Sequence, residues 1–137
     1  MVLNQENDFV IFNFVKPILL INIKKEAPTP AEWEWTKNTM ICYYKSLEMT
    51  KSKISIIFDL NKLGLLDISI FREWANLFIE YKSHTEKYIH RTSLITNSII
   101  IKTSLNLFFK IYTTVRPMKF VDNFIEAREF VLLEFPK

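Results

Sequence analysis

The chain has 137 residues, 49% of them apolar and 15% aromatic, with 18 basic and 15 acidic side chains and a formal charge of +3. That length and composition describe one domain, residues 1–137, with enough apolar side chain to build a core without staples. A single cysteine, Cys42, excludes an internal disulfide or a cysteine-based zinc cage, and two histidines, His84 and His90, leave little for any other metal site.

Residues 8–15 (DFVIFNFV) and 18–23 (ILLINI) are rich in side chains that suit a pleated surface. Lys16 precedes Pro17 and is steered away from helix, so the two runs read as antiparallel strands joined by a tight turn. Neither run alternates cleanly, which places both strands near the middle of a covered sheet. A loop then ends in Pro28-Thr29-Pro30. Thr29 suits an N-cap, Pro30 the first helical position, and Glu32 completes a capping-box spacing. This helix runs to about residues 47–50, with Trp33, Met40, Ile41, Tyr44 and Leu47 on its inner stripe. Trp35, Cys42 and Tyr43 fall off that stripe, at its margin or in a contact patch. Cys42 has no neighbouring base in sequence and reads as an inert thiol.

Residues 53–60 form the next strand, almost continuously apolar and so covered on both faces. The chain turns through residues 61–66, and Asp67 caps a second helix whose inner stripe is Phe71, Trp74, Ala75, Phe78 and Tyr81. Residues 83–90 are a polar connection with room for another helical turn. A short strand at 92–96 leads to a third helix at 99–112, capped by Asn97 or Ser98. Ile100, Ile101, Leu105, Phe108, Phe109 and Tyr112 line that helix. Ile99, Leu107 and Ile111 widen its apolar surface beyond one stripe, which implies burial on two sides or a contact surface. A last strand, MKFV at 118–121, precedes a helix at 124–134 with Phe124, Ala127 and Val131 inward and Phe130 and Leu133 broadening that face.

The order β-β-α-β-α-β-α-β-α implies an α/β fold with a mixed, mostly parallel five-stranded sheet and four helices. Within it, FDLNKLGLLDISIF, together with the element order and domain length, resembles the STAS domain, the anti-anti-sigma-factor (SpoIIAA-like) type of fold. In that family a strand ending in Asp-Leu leads through a loop to Asp-Ser-Ser-Gly at the start of the second helix. Asp59-Leu60 corresponds to the strand end and Asp67 to the motif aspartate. Ser69 falls on the serine that a partner kinase phosphorylates in bacterial members, while Ile68 and Ile70 stand in place of a serine and the glycine. The resemblance covers residues 8–135 and implies a non-enzymatic regulatory module that docks a protein partner. Its implied partner-binding residues are Asp59, Asn61, Gly64, Asp67, Ser69 and Arg72, with Ser69 a phosphosite. The residues taken alone also allow Asp67 to be a plain cap and Ser69 an ordinary first-turn serine.

Little supports catalysis. Gly64 is the sole glycine, so there is no Gly-rich phosphate cradle, and neither histidine has a sequence-linked nucleophile. No cofactor is expected. Residues 82–119 carry Lys82, Lys87, Arg91, Lys102, Lys110, Arg116 and Lys119 against Glu86, a local charge of +6 that leaves −3 for the rest. Such a segment reads either as a solvated basic side or as an attraction for anionic partners. Its phenylalanines are explained by core packing, which argues against nucleic acid. A second surface of Ile99, Lys102, Leu107, Lys110 and Ile111 allows self-association or burial in a larger assembly. Together with Arg116 it also suggests docking to an anionic membrane or lipid. Residues 1–8 show no secretory leader, and Lys102 and Lys110 interrupt the most apolar stretch, 94–115, so the expected location is the cytoplasm.

Overall fold

In the computed structural model, residues 4–111 and 114–136 are described, and the side chains of Lys110 and Ile111 lie outside that description. The strands are β1 (Asn4–Glu6), β2 (Val10–Val15), β3 (Ile18–Ile23), β4 (Ile54–Asp59), β5 (Ile89–Ile95) and β6 (Met118–Val121). The helices are α1 (Pro30–Thr50), α2 (Ile68–Glu80), α3 (Lys82–Tyr88), α4 (Ile99–Ile111) and α5 (Phe124–Leu132). The six strands lie in sequence order; β1–β2–β3 are antiparallel and β3–β4–β5–β6 parallel. Asn22, Asp59, Ile95 and Val121 stand in one row across the parallel strands, so their carboxyl ends finish level.

The mixed α/β sheet is the expected class, with one strand and one helix more than the sequence pattern implied. The three residues of β1, Asn-Gln-Glu, have no strand-type side chain. They pair because residues 7–9 turn the chain back, with the Asn7 side chain accepting from the N–H groups of Phe9 and Val10. α3 occupies the polar connection, and β5 begins at Ile89 rather than Thr92. Its first polar residues are exempt from alternation because the β4–β5 register shifts between Ile54 and Ile56. The side chains of His90 and Arg91 both reach the segment after α5.

Alternate residues of the parallel strands point to opposite layers. Leu19, Ile21, Ile56, Phe58 and Leu94 pack with Met40, Leu47, Leu77 and Leu105 of α1, α2 and α4. Ile18, Ile57, Ile95 and Val121 pack against Ala127 and Val131 of α5. Two buried serines fasten that second layer: Ser55 donates to the Val131 carbonyl at 2.8 Å and Ser93 to the Ala127 carbonyl at 3.0 Å. The β2–β3 hairpin is not covered on both faces as its sequence suggested. Phe12 and Ile21 are buried under α1, whereas Ile11, Asn13, Leu20 and Asn22 are half-buried on the other side. An antiparallel pair tolerates a partly wetted face.

α1 has the capping box read from the sequence. Thr29 accepts from the Glu32 N–H at 3.2 Å, and the Glu32 carboxylate accepts from the Thr29 N–H at 2.8 Å. The Lys25 ammonium, and after it the Thr29 N–H, hold the Glu32 carboxyl below its ordinary range. Tyr43 is buried, not marginal, stacked on Phe12 with ring centroids 5.5 Å apart, and burial raises its phenol. On α2 the fully covered residue is Leu77, while Phe71, Trp74, Phe78 and Tyr81 are half-buried. Ile100 of α4 and Phe124 of α5, expected inside, are exposed.

Candidate functional site

The chain leaves β4 with its backbone still tied to the sheet: the Leu60 N–H donates to the Ile95 carbonyl at 2.9 Å. The Asp59 carboxylate accepts from the Asn61 N–H at 3.1 Å and tightens the turn. Leu60 and Leu63 point into the core. Gly64 then donates its N–H to the Glu26 carbonyl at 2.8 Å; a Cβ there would lie 3.1 Å from the Glu26 Cβ. The glycine thus permits close packing of two connectors and is itself half-buried.

Past this clamp Leu66 still packs on the core, while its neighbours Leu65 and Ile68 turn to solvent. Leu65 is 68% and Ile68 66% exposed, on either side of Asp67. Asp67 caps α2 by accepting from the Ser69 N–H at 2.8 Å. That backbone bond, with a second from the Ser69 side chain, keeps the Asp67 carboxyl below its ordinary range. Ser69 and Arg72 are exposed.

The neighbouring helix starts repeat the pattern. At α4, Ser98 accepts from the Ile101 N–H at 3.2 Å, and Ile99 and Ile100 stand out, 80% and 60% exposed. At α5, Asn123 accepts from the Glu126 N–H at 2.9 Å, with Ile125 71% exposed. Because β4, β5 and β6 are parallel and end level, these three starts occupy one end of the sheet.

The structure therefore brings Asp59, Asn61, Gly64, Asp67, Ser69 and Arg72 to the same end as Ile99 and Lys102. Leu107 is exposed farther along α4, and Lys110 and Ile111 lie outside the described side chains. Sequence reasoning missed Leu65, Ile68 and Ile125 as solvent-facing. The available signal was the apolar side chain directly beside each helix cap, where polar residues ordinarily stand.

The basic segment is dispersed. Lys82 and Lys87 are exposed on α3, and Arg116 donates from Nε to the carbonyls of Ile89 and His90, both at 3.2 Å. All three precede the parallel strands β5 and β6 and so lie at the opposite, amino end. Arg91 lies over the Phe130 ring at 5.0 Å and reaches Glu134 at 3.3 Å. Lys102 is 3.9 Å from Asp122.

The histidines serve packing. His84 meets Glu48 at 2.8 Å beside the Tyr44–Tyr81 stack, joining α3 to α1. His90 donates from Nε2 to the Leu133 carbonyl at 2.7 Å, since a carbonyl can only accept. Among the described residues no three His, Cys, Asp or Glu side chains are grouped to hold a metal ion, and no helix is long and apolar enough to cross a membrane. A wholly apolar cavity of about 30 Å³ lies between α2, α4 and the sheet, among Trp74, Phe78, Leu105 and Phe108, with room for little beyond one water-sized group.

No protein-family model and no curated protein sequence matches the chain. Among solved structures it is similar to the crystal structure of an uncharacterized DUF3478-family protein with a SpoIIAA-like fold from Shewanella loihica PV-4. The two superpose with a TM-score of 0.60 at 13% identity, over 93% of this chain and 90% of the other. The fold is SpoIIAA-like, of the STAS type, as the strand-turn-helix resemblance implied.

Proposed function

We propose that the protein is a non-enzymatic, cytoplasmic STAS-like interaction module that docks a protein partner through the connector and start of α2, residues 64–72. The observation that carries this reading is the exposure of Leu65 and Ile68 around the Asp67 cap, beside Ile99 and Ile100 of α4. Large apolar side chains gathered at one end of a domain mark a contact surface. Ser69 sits within it, and a phosphate there would add about −1.5 to −2 charge next to the Asp67 carboxylate. Phosphorylation of Ser69 would thus oppose docking by charge, without disturbing the core.

The membrane reading has less support. Interfacial docking needs apolar and basic groups on one face. Here Lys82, Lys87 and Arg116 lie at the end of the sheet opposite Ile68 and Ile99, and Lys102 is beside a carboxylate.

The test is a pull-down from native lysate with wild type, Ile68→Glu and Ser69→Asp, each confirmed folded by circular dichroism. The expected outcome is a specific complex lost with Ile68→Glu and weakened with Ser69→Asp. A complex retained by Ile68→Glu would overturn the docking surface; one indifferent to Ser69→Asp alone would remove the phosphoswitch.

A further inference from the structure

The apolar end is larger than the α2 start and carries a definite charge sign. Ile68, Ile99 and Ile100 belong to the layer of α2 and α4, whereas Phe124 and Ile125, 47% and 71% exposed, begin α5 in the opposite layer. The surface therefore wraps over the carboxyl ends of β4, β5 and β6 and forms a ridge across both faces of the sheet.

The charges in those connectors and first helical turns are Asp59, Asp67, Asp122 and Glu126 against Lys62 and Lys102, with Arg72 and Glu73 a turn farther along α2 and Arg128 and Glu129 a turn farther along α5. Lys102 is already within 3.9 Å of Asp122. The Asp67 carboxylate caps α2 and that of Glu126 accepts from the Asp122 N–H, yet all three acids, Asp122 included, are exposed. Lys62 is the exposed lysine of this end, whereas Lys51, Lys82 and Lys87 are exposed at the amino end, away from the ridge.

On the docking reading above, we infer that the occupant of this end is a partner protein whose contact segment is apolar and flanked by Lys or Arg. An apolar centre matches Ile68, Ile100 and Ile125, and basic flanks match Asp67, Asp122 and Glu126. Like-charge juxtaposition rejects acidic segments and anionic bilayers. Phe124 and Ile125 become part of the docking surface, so the partner must contact both layers.

The test pans the full chain, immobilised, against a displayed library of random peptides at low and high salt. The expected result is enrichment of apolar peptides carrying Lys or Arg. Their binding falls about tenfold with Ile68→Ser, Ile100→Ser or Ile125→Ser, which change exposed side chains only. It falls severalfold in high salt and with the double variant Asp122→Asn/Glu126→Gln, whose amide oxygen can still accept the residue-122 N–H. Peptides that need Ile68 and Ile100 but are acidic or neutral would overturn the charge inference and leave the docking surface standing. Peptides indifferent to all three isoleucines, or no enrichment, would overturn both. Salt-sensitive self-association lost with Ile100→Ser, or flotation with phosphatidylserine vesicles lost by the same change, would assign the end to a second copy or a bilayer and overturn the inference.

Discussion

Gly64 and Glu26 hold two connectors together: the Gly64 N–H donates to the Glu26 carbonyl at 2.8 Å, and the missing side chain lets the backbones approach. Leu63, one residue earlier, is buried, and Leu65, one residue later, is 68% exposed. Beyond this contact the chain alternates, with Leu65 and Ile68 outward and Leu66 and Phe71 packed on the core. Gly64→Ala places a Cβ 3.1 Å from the Glu26 Cβ and 3.3 Å from its carbonyl oxygen, so the connector must shift by a few tenths of an ångström. The expected stability loss is about 1 kcal/mol, with amide-exchange protection lost first at residues 63–67 rather than in β4. Unchanged protection at Gly64 and Leu65 would refute the clamp.

A second clamp joins α1 to α2. The Trp33 Nε1–H donates to Glu73 at 2.8 Å and the Lys37 ammonium to its other oxygen at 2.7 Å. Trp33 is buried, so Glu73→Ala leaves its N–H without that acceptor and is expected to cost about 1–2 kcal/mol, read as a drop in denaturant midpoint.

The same contact makes stability depend on pH. Lys37, and then the Trp33 N–H, hold the Glu73 carboxyl below its ordinary value of 4.5. Its contribution is full above that value and is lost as pH falls through the lowered one. Glu73 in turn raises the Lys37 ammonium above its ordinary 10.5, so that contribution is full below 10.5 and is lost only as pH rises beyond it. Wild type should lose stability on acidification below 4.5 more steeply than Glu73→Gln, measured as thermal midpoint against pH. Parallel profiles would show that the pair contributes nothing to the pH dependence.

His90 is 5% exposed and its donation to the Leu133 carbonyl pins the segment after α5, with the Phe135 ring edge-on at 5.2 Å. His90→Phe keeps the ring but leaves that carbonyl unpaired, for an expected loss of about 1–3 kcal/mol and a thermal midpoint lower by several degrees. His90→Gln can restore a donor and should recover part of the loss.

Ser69→Asp should separate folding from docking. Ser69 is exposed; its backbone N–H, which any residue provides, supplies the first bond of the Asp67 cap, and the second, from its side chain, lies at the surface. The thermal midpoint should stay within about 0.5 kcal/mol of wild-type stability, while any complex at the α2 start weakens. An equal fall in both would make Ser69 a structural residue.

Much of this architecture was legible in local chemistry. Thr29 and Glu32 declared the start of α1, Asp67 that of α2, and the almost continuously apolar run Ile54–Phe58 a strand covered on both faces. Each signal depends on atoms within a few residues, which is why it survives without knowledge of neighbours. β1 and the first residues of β5 carried no such signal. Asn4–Glu6 pairs because β2 offers a free edge, and His90 and Arg91 are buried or half-buried because the tail after α5 meets them.

The sequence by itself determined an α/β chain, the helix caps and the resemblance of residues 59–69 to a STAS motif, because composition, spacing and capping are local properties. Only the tertiary structure decided that Ile68, Ile100 and Ile125 share one end, that Phe124 faces out and Tyr43 in, and that Arg116 belongs to the far end. Which side of an apolar helix is covered depends on what the sheet brings against it. Parallel pairing of β4, β5 and β6 sets side by side three helix starts spread along the chain from Ile68 through Ile99 to Phe124, a nearness no local pattern encodes.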